Sequence, residues 1–163
     1  MRAFLRTTIA WVLLAFLGEN LVAPLIDIKG VAPDFTVIAV IILAMAEGSR
    51  VGAIGGFCLG VVQDLSVPML LGLHALCKTL LGFTVGRTRG RLVFGMPLLE
   101  GALVLVATLG HDTIFLLVQS RQQSEAFLGP WLTQAWPTAL YTALLGVPLI
   151  RIADFTGILR QDD

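Results

Sequence analysis

Glycine recurs at every fourth position in the segment 48–64, at Gly48, Gly52, Gly56 and Gly60, with Asp64 at the next step. A helix lacking side chains at this spacing carries a groove, and in lipid such a groove lets a second backbone approach closely. In water the same glycine density opposes a helix, at roughly 1 kcal/mol per glycine. Here the ladder is embedded in a chain that is 56% hydrophobic, which predicts a membrane helix packed against neighbours. The ladder drifts by about 40° per step, so the groove winds around its helix. Two destinations are open to it, a helix of the same bundle or a helix of another protein.

Only 13% of the 163 residues are charged and the mean hydropathy is +0.88. A soluble domain carries about 25% charged residues, so the expectation is one integral-membrane domain over residues 1–163. The formal net charge is zero and the basic residues are scattered over short loops, which argues against nucleic acid as a partner. Cys58 and Cys77 fall in apolar helical stretches and read as packing thiols. No Cys/His spacing suits a metal, and no nucleophile stands beside a base in any motif with a mechanism. The reading is therefore no metal, no cofactor and no catalysis.

Six apolar helices are expected, at about 4–25, 33–46, 50–65, 68–86, 93–118 and 130–152. The first reads as uncleaved, because the only small-residue site nearby, Val22-Ala23, is followed directly by Pro24. The second falls short of the usual span, so it must be little tilted, be shielded by neighbours, or thin the bilayer locally. Pro137 and Pro148 are expected to kink the last helix. With six spans one side collects Arg2, Arg6, Arg50, Arg87, Arg89, Arg91, Arg151 and Arg160, and the other side only Lys29 and Arg121. The positive-inside rule then predicts both termini in the cytoplasm.

Charge in hydrocarbon costs at least about 2.5–3.5 kcal/mol per group at the centre of a span, so each instance calls for a partner. Lys78 is the deepest, with His74 one turn earlier on the same helix face. Asp64 and Asp112 fall at a comparable depth and are its expected partners, giving a polar cluster of Asp64, His74, Lys78 and Asp112. Glu19 and Asn20 stand in the outer part of the first helix. The cluster reads either as a polar pocket or proton path, or as internal ion pairs that fix helix register. His111 and Asp112 point about 100° apart and are not expected to act as a catalytic pair by themselves. Glu100 is expected to pair with Arg87, Arg89 or Arg91. That arginine cluster is a topology signal or an attractor of anionic lipid.

Ala32-Pro33-Asp34-Phe35, the glycine helix with Gly55-Gly56-Phe57, Gly60-Val61-Val62-Gln63-Asp64-Leu65 and Leu71-Gly72-Leu73-His74-Ala75-Leu76 resemble the rod shape-determining MreD family. The resemblance is most specific over residues 32–90, and its motif positions are Pro33, Asp34, Phe35, Phe57, Asp64, Leu71 and Gly72. Val61 and the loop Ser66-Val67-Pro68 depart from what many members carry there. The resemblance implies a multi-pass protein of the bacterial inner membrane, a non-catalytic scaffold of the elongation complex supporting cell shape and lateral peptidoglycan synthesis. It implies an MreC-like protein as the direct partner, with RodA, a penicillin-binding transpeptidase, MreB and membrane lipids nearby. The alternative is a small-molecule-binding subunit like the substrate-capture component of an energy-coupling-factor transporter, with Lys78, His74 and Asp112 lining a pocket.

Overall fold

A computed structural model describes residues 13–65, 70–89, 96–123, 126–156 and 159. Arg2, Arg6, Ser66 to Pro68, Arg91 and Arg160, all invoked above, lie outside the described residues. Six helices and no strand are found among the described residues. They are α1 (Leu13–Leu25), α2 (Phe35–Glu47), α3 (Ser49–Asp64), α4 (Leu73–Thr88), α5 (Pro97–Gln123) and α6 (Leu128–Phe155).

Local chemistry explains most of the boundaries. Asp34 caps α2 by accepting from Val37 N. Gly48, at φ +87°, turns α2 into α3 while its N–H still donates to Ala44 O at 2.9 Å. Gly72, at φ +95°, precedes α4, so α4 begins five residues later than the expected start at Pro68. The α5 helix runs to Gln123 instead of stopping at Val118, because the backbone continues its hydrogen bonding whether the side chains are apolar or not. Widened π-turns occupy Gly18–Val22 of α1 and Trp131–Ala135 of α6. Each lies just before a proline, Pro24 and Pro137, whose missing N–H frees a carbonyl in the preceding turn. Pro148 stands inside α6.

The bundle is organised around α2. Every residue from Thr36 to Ala46 is buried, so this helix of 13 residues is shielded by its neighbours on all sides, one of the three ways its shortness was expected to be met. Val104 of α5 and Ala143 and Ile150 of α6 join its core. The outer faces are apolar instead of polar, with Leu13 and Leu21 on α1, Ile54 and Phe57 on α3, Leu80 on α4, Val106 on α5 and Leu144 on α6 all exposed. Apolar patches this extensive are foreign to a water-facing protein and suit a lipid surround. Two helices, α5 and α6, are long and apolar enough by themselves to cross a membrane. The α3 and α4 helices have 16 residues each, about 24 Å at 1.5 Å per residue.

The glycine groove is filled from within the chain. A Cβ on Gly52 would stand 2.6 Å from Ala44 Cβ and 2.7 Å from Gly82 O. On Gly56 it would meet the Lys78 carbonyl, and on Gly60 the backbone of His74 and Ala75. The seam is reciprocal, since a Cβ on Gly82 or Gly86 would run into the backbone of Gly52 or of Gly48 and Ser49. Four-residue spacing on both antiparallel helices thus brings α3 and α4 into backbone contact. Gly48 departs from the expectation of a groove position. Its positive φ makes it a turn residue, and only the flexible Arg89 side chain lies near its absent Cβ, at 3.2 Å.

Candidate functional site

The Pro33-Asp34-Phe35 motif begins as a helix start. Asp34 Oδ1 accepts from Val37 N at 2.7 Å and from Thr36 Oγ1 at 2.6 Å, which satisfies donors that the first turn of α2 leaves open. Its own N–H donates to Thr142 Oγ1 of α6 at 3.0 Å. The next amide, Phe35 N, donates to Glu19 Oε2 at 2.9 Å. Glu19 comes from the π-turn of α1, and the Phe35 ring packs on the bare backbone of Gly18 beside it. The start of α2 is therefore fastened to α1 and α6 through its backbone.

Lys78 reaches this point from the middle of α4. It is 0% exposed, and its Nζ lies 3.1 and 3.0 Å from the two Asp34 carboxylate oxygens while also donating to Thr36 Oγ1. A buried ammonium requires a paired and hydrogen-bonded counter-ion, and Asp34 supplies it. This corrects the expected partners, Asp64 and Asp112. Both have other occupations, and α2 starts deep enough in the bundle for its capping carboxylate to stand level with Lys78.

Asp64, 1% exposed, caps α4 from the end of α3. Its Oδ1 accepts from His74 N at 3.0 Å, and its Oδ2 from Gly72 N at 2.9 Å and Ala75 N at 3.1 Å. The imidazole Nδ1 of His74 lies 3.0 Å from Oδ1 as well. A carboxylate at the positive end of a helix dipole is favourably placed, so Asp64 and Gly72 of the motif work as one device. Leu71 and Phe57 instead face outward, 70% and 54% exposed.

Asp112 lies 2.9 Å from His111 Nδ1. The two neighbours do meet, because the side chains bend toward each other across the 100° between them. The ring of His111 faces that of His74 at 6.2 Å between centroids, and Phe115 packs against His74 at 4.4 Å. The predicted cluster thus divides into a Lys78–Asp34 pair and two His–Asp pairs that meet through their rings. At the opposite end of the bundle Glu100 pairs with Arg151 Nε at 3.1 Å, a partner outside the three arginines expected for it. Arg89 Nη1 donates to Ala46 O at 3.0 Å, capping the last turn of α2.

Thr36, Gln63 and Thr142 belong to the polar core and were not foreseen. Gln63 Oε1 stands 3.4 Å from Thr36 Oγ1. The available signal was Pro33-Asp34 ahead of an apolar run, an N-cap signature that marks Asp34 as a buried carboxylate once α2 is read as central. Among the described residues no group of three or more His, Cys, Asp or Glu is arranged to hold a metal ion.

Comparison with known proteins bears on residues 1–152 of the 163. A family model described as rod shape-determining protein MreD matches residues 1–152. No curated protein and no solved structure matches the chain.

Proposed function

Since the chain belongs to the MreD family of rod shape-determining membrane proteins, we propose that it is a non-catalytic scaffold of the elongation complex that binds an MreC-like partner in the bacterial inner membrane. A role in rod shape determination comes with the family; the scaffold role and the partner are our reading. The observation that carries it is the state of Lys78, fully buried and paired with Asp34. The deepest cation serves to lock α4 to α2, and the outer surface left over is apolar. The energy-coupling-factor reading requires Lys78 to face a ligand, and its burial favours the scaffold. Co-purification in mild detergent separates the two: an MreC-like chain should be retained, and retention of an ATPase pair in its place would overturn the scaffold reading.

The proposed architecture has all six helices embedded, with the short α2 at the centre and both termini cytoplasmic. Gly30 and Arg121 then lie toward the outside and Arg50, Arg89 and Arg151 toward the cytoplasm, following the basic-residue asymmetry. A single cysteine introduced at position 30, in a background lacking Cys58 and Cys77, should react with an impermeant maleimide on intact cells. One at position 89 should react only after permeabilisation. Labelling at 89 from outside would contradict the orientation.

A further inference from the structure

Along α1 the buried residues are Ala15, Gly18 and Ala23, all small, and every leucine of the helix is exposed. An apolar groove of about 270 Å³ lies between Leu14, Leu17 and Leu21 of α1 and Ile38 and Ile42 of α2, with Leu149 of α6 also lining it. In lipid, helices are held together by close packing and hydrogen bonds instead of by exclusion of water. A helix with so little packed surface therefore leans on its polar fasteners. Among the described residues there are two. Tyr141 of α6 donates to Ile26 O at 3.1 Å, just beyond the helix, and Glu19 Oε2 accepts from Phe35 N at 2.9 Å.

Glu19 is the fastener whose strength depends on its charge. It belongs to the π-turn Gly18–Val22, and such turns inside helices often mark functional positions. The charged groups acting on it are Asp34 of α2 and Lys78 of α4, and His111 of α5 acts on Asp34 in turn. The α6 helix presents there the uncharged Thr142 hydroxyl. Lys78 Nζ is already engaged with both Asp34 oxygens, at 3.1 and 3.0 Å. Among the described residues no cation forms an ion pair with Glu19. The Lys78–Asp34 pair is neutral as a unit, so an ionised Glu19 adds an uncompensated negative charge beside Asp34. Such a charge is costly at membrane depth and costly next to a like charge. Protonation removes both costs, and the carbonyl oxygen can still accept from Phe35 N. Since α1 ends at Leu25, about 9 Å further on, the half-buried carboxyl is within reach of protons from the outer surface.

We propose that Glu19 is a proton-binding site that governs the docking of α1. Protonated, it holds α1 on the start of α2. Ionised, it drives α1 away from Asp34 and toward water at the outer surface. The docked state binds the proton more tightly than the undocked one, so docking is strongest at low pH and weakens as pH rises. Undocking uncovers Ile38 and Ile42, which are 1% and 2% exposed while α1 is in place.

The test uses the full chain in lipid nanodiscs, in a background lacking Cys58 and Cys77. Nitroxide labels go on cysteines introduced at Leu21 of α1 and Leu76 of α4, both exposed, and pulsed electron resonance reads the distance between them. From about pH 5 to about pH 9, the range in which buried carboxyls titrate, a second distance population should appear. The docked-to-undocked ratio should fall about tenfold for each unit by which proton affinity differs between the two states. Glu19→Gln keeps the acceptor oxygen without the charge, so it should show the docked distance alone at both pH values. A readout that needs no variant is the infrared band of a protonated carboxyl in the unaltered chain carrying isotope-labelled glutamate, which should vanish over the same range. Distances that ignore pH, or an infrared band missing throughout, would overturn the proposal. So would an unchanged pH response in Glu19→Gln, which would place the titrating group elsewhere, at His74 or His111.

Discussion

Replacing Lys78 with methionine is expected to cost on the order of 3–5 kcal/mol of stability, the usual consequence of leaving a buried charge without its partner. The stranded group is Asp34, whose two oxygens lie 3.0 and 3.1 Å from Nζ. Because the loss comes from the uncompensated charge, the double variant Lys78→Met/Asp34→Asn should recover much of it. Asparagine also keeps an oxygen to cap Val37 N. The doubles with Asp64→Asn or Asp112→Asn should recover nothing, since Asp64 holds the amides of Gly72, His74 and Ala75 at the start of α4 and Asp112 holds His111. Thermal unfolding in detergent distinguishes these outcomes. Recovery through Asp64 or Asp112, or strict additivity with Asp34, would remove the pair from its central role.

The second large effect lies in the α3–α4 seam. Association in lipid depends on van der Waals fit, and inserted methyl groups force backbones apart. Overpacking typically costs about 1–3 kcal/mol for a few added carbons. Gly56 admits no Cβ, because the obstacle is the Lys78 carbonyl and not a side chain that can swing away. Gly56→Ala should lower the melting temperature clearly, and Gly56→Leu should prevent accumulation of folded protein. Gly55→Ala is the sensitive control, since its Cβ would meet only the end of the Leu43 side chain. Equal stability of Gly55→Ala and Gly56→Ala would mean that α3 and α4 are not in backbone contact.

Much of this arrangement was legible in the sequence, and the limits have physical causes. The glycine spacing announced a close helix contact, but one helix cannot reveal its occupant; that needed the matching Gly82 and Gly86 on α4. Gly48 shares the spacing and differs only in φ, which no spacing reveals. Lys78 was recognisable as a buried cation needing an acid. Its partner was misassigned because capping carboxylates were counted by depth, and the amides of α4 that occupy Asp64 are invisible until α3 and α4 are docked. Helix ends set by hydropathy erred where the backbone obeys another rule. The α4 helix waits for Gly72 and the Asp64 cap, and α5 runs on through Gln119, Ser120 and Arg121.

Cell shape tests the account most directly. In a rod-shaped bacterium whose own copy of the family protein is removed and replaced by this chain, the unaltered chain should restore rods. Gly55→Ala should restore them too, and Gly56→Leu should leave rounded cells because the bundle on which the proposed scaffold role rests is gone. Rods that persist without the chain, or that return fully with Gly56→Leu, would contradict it.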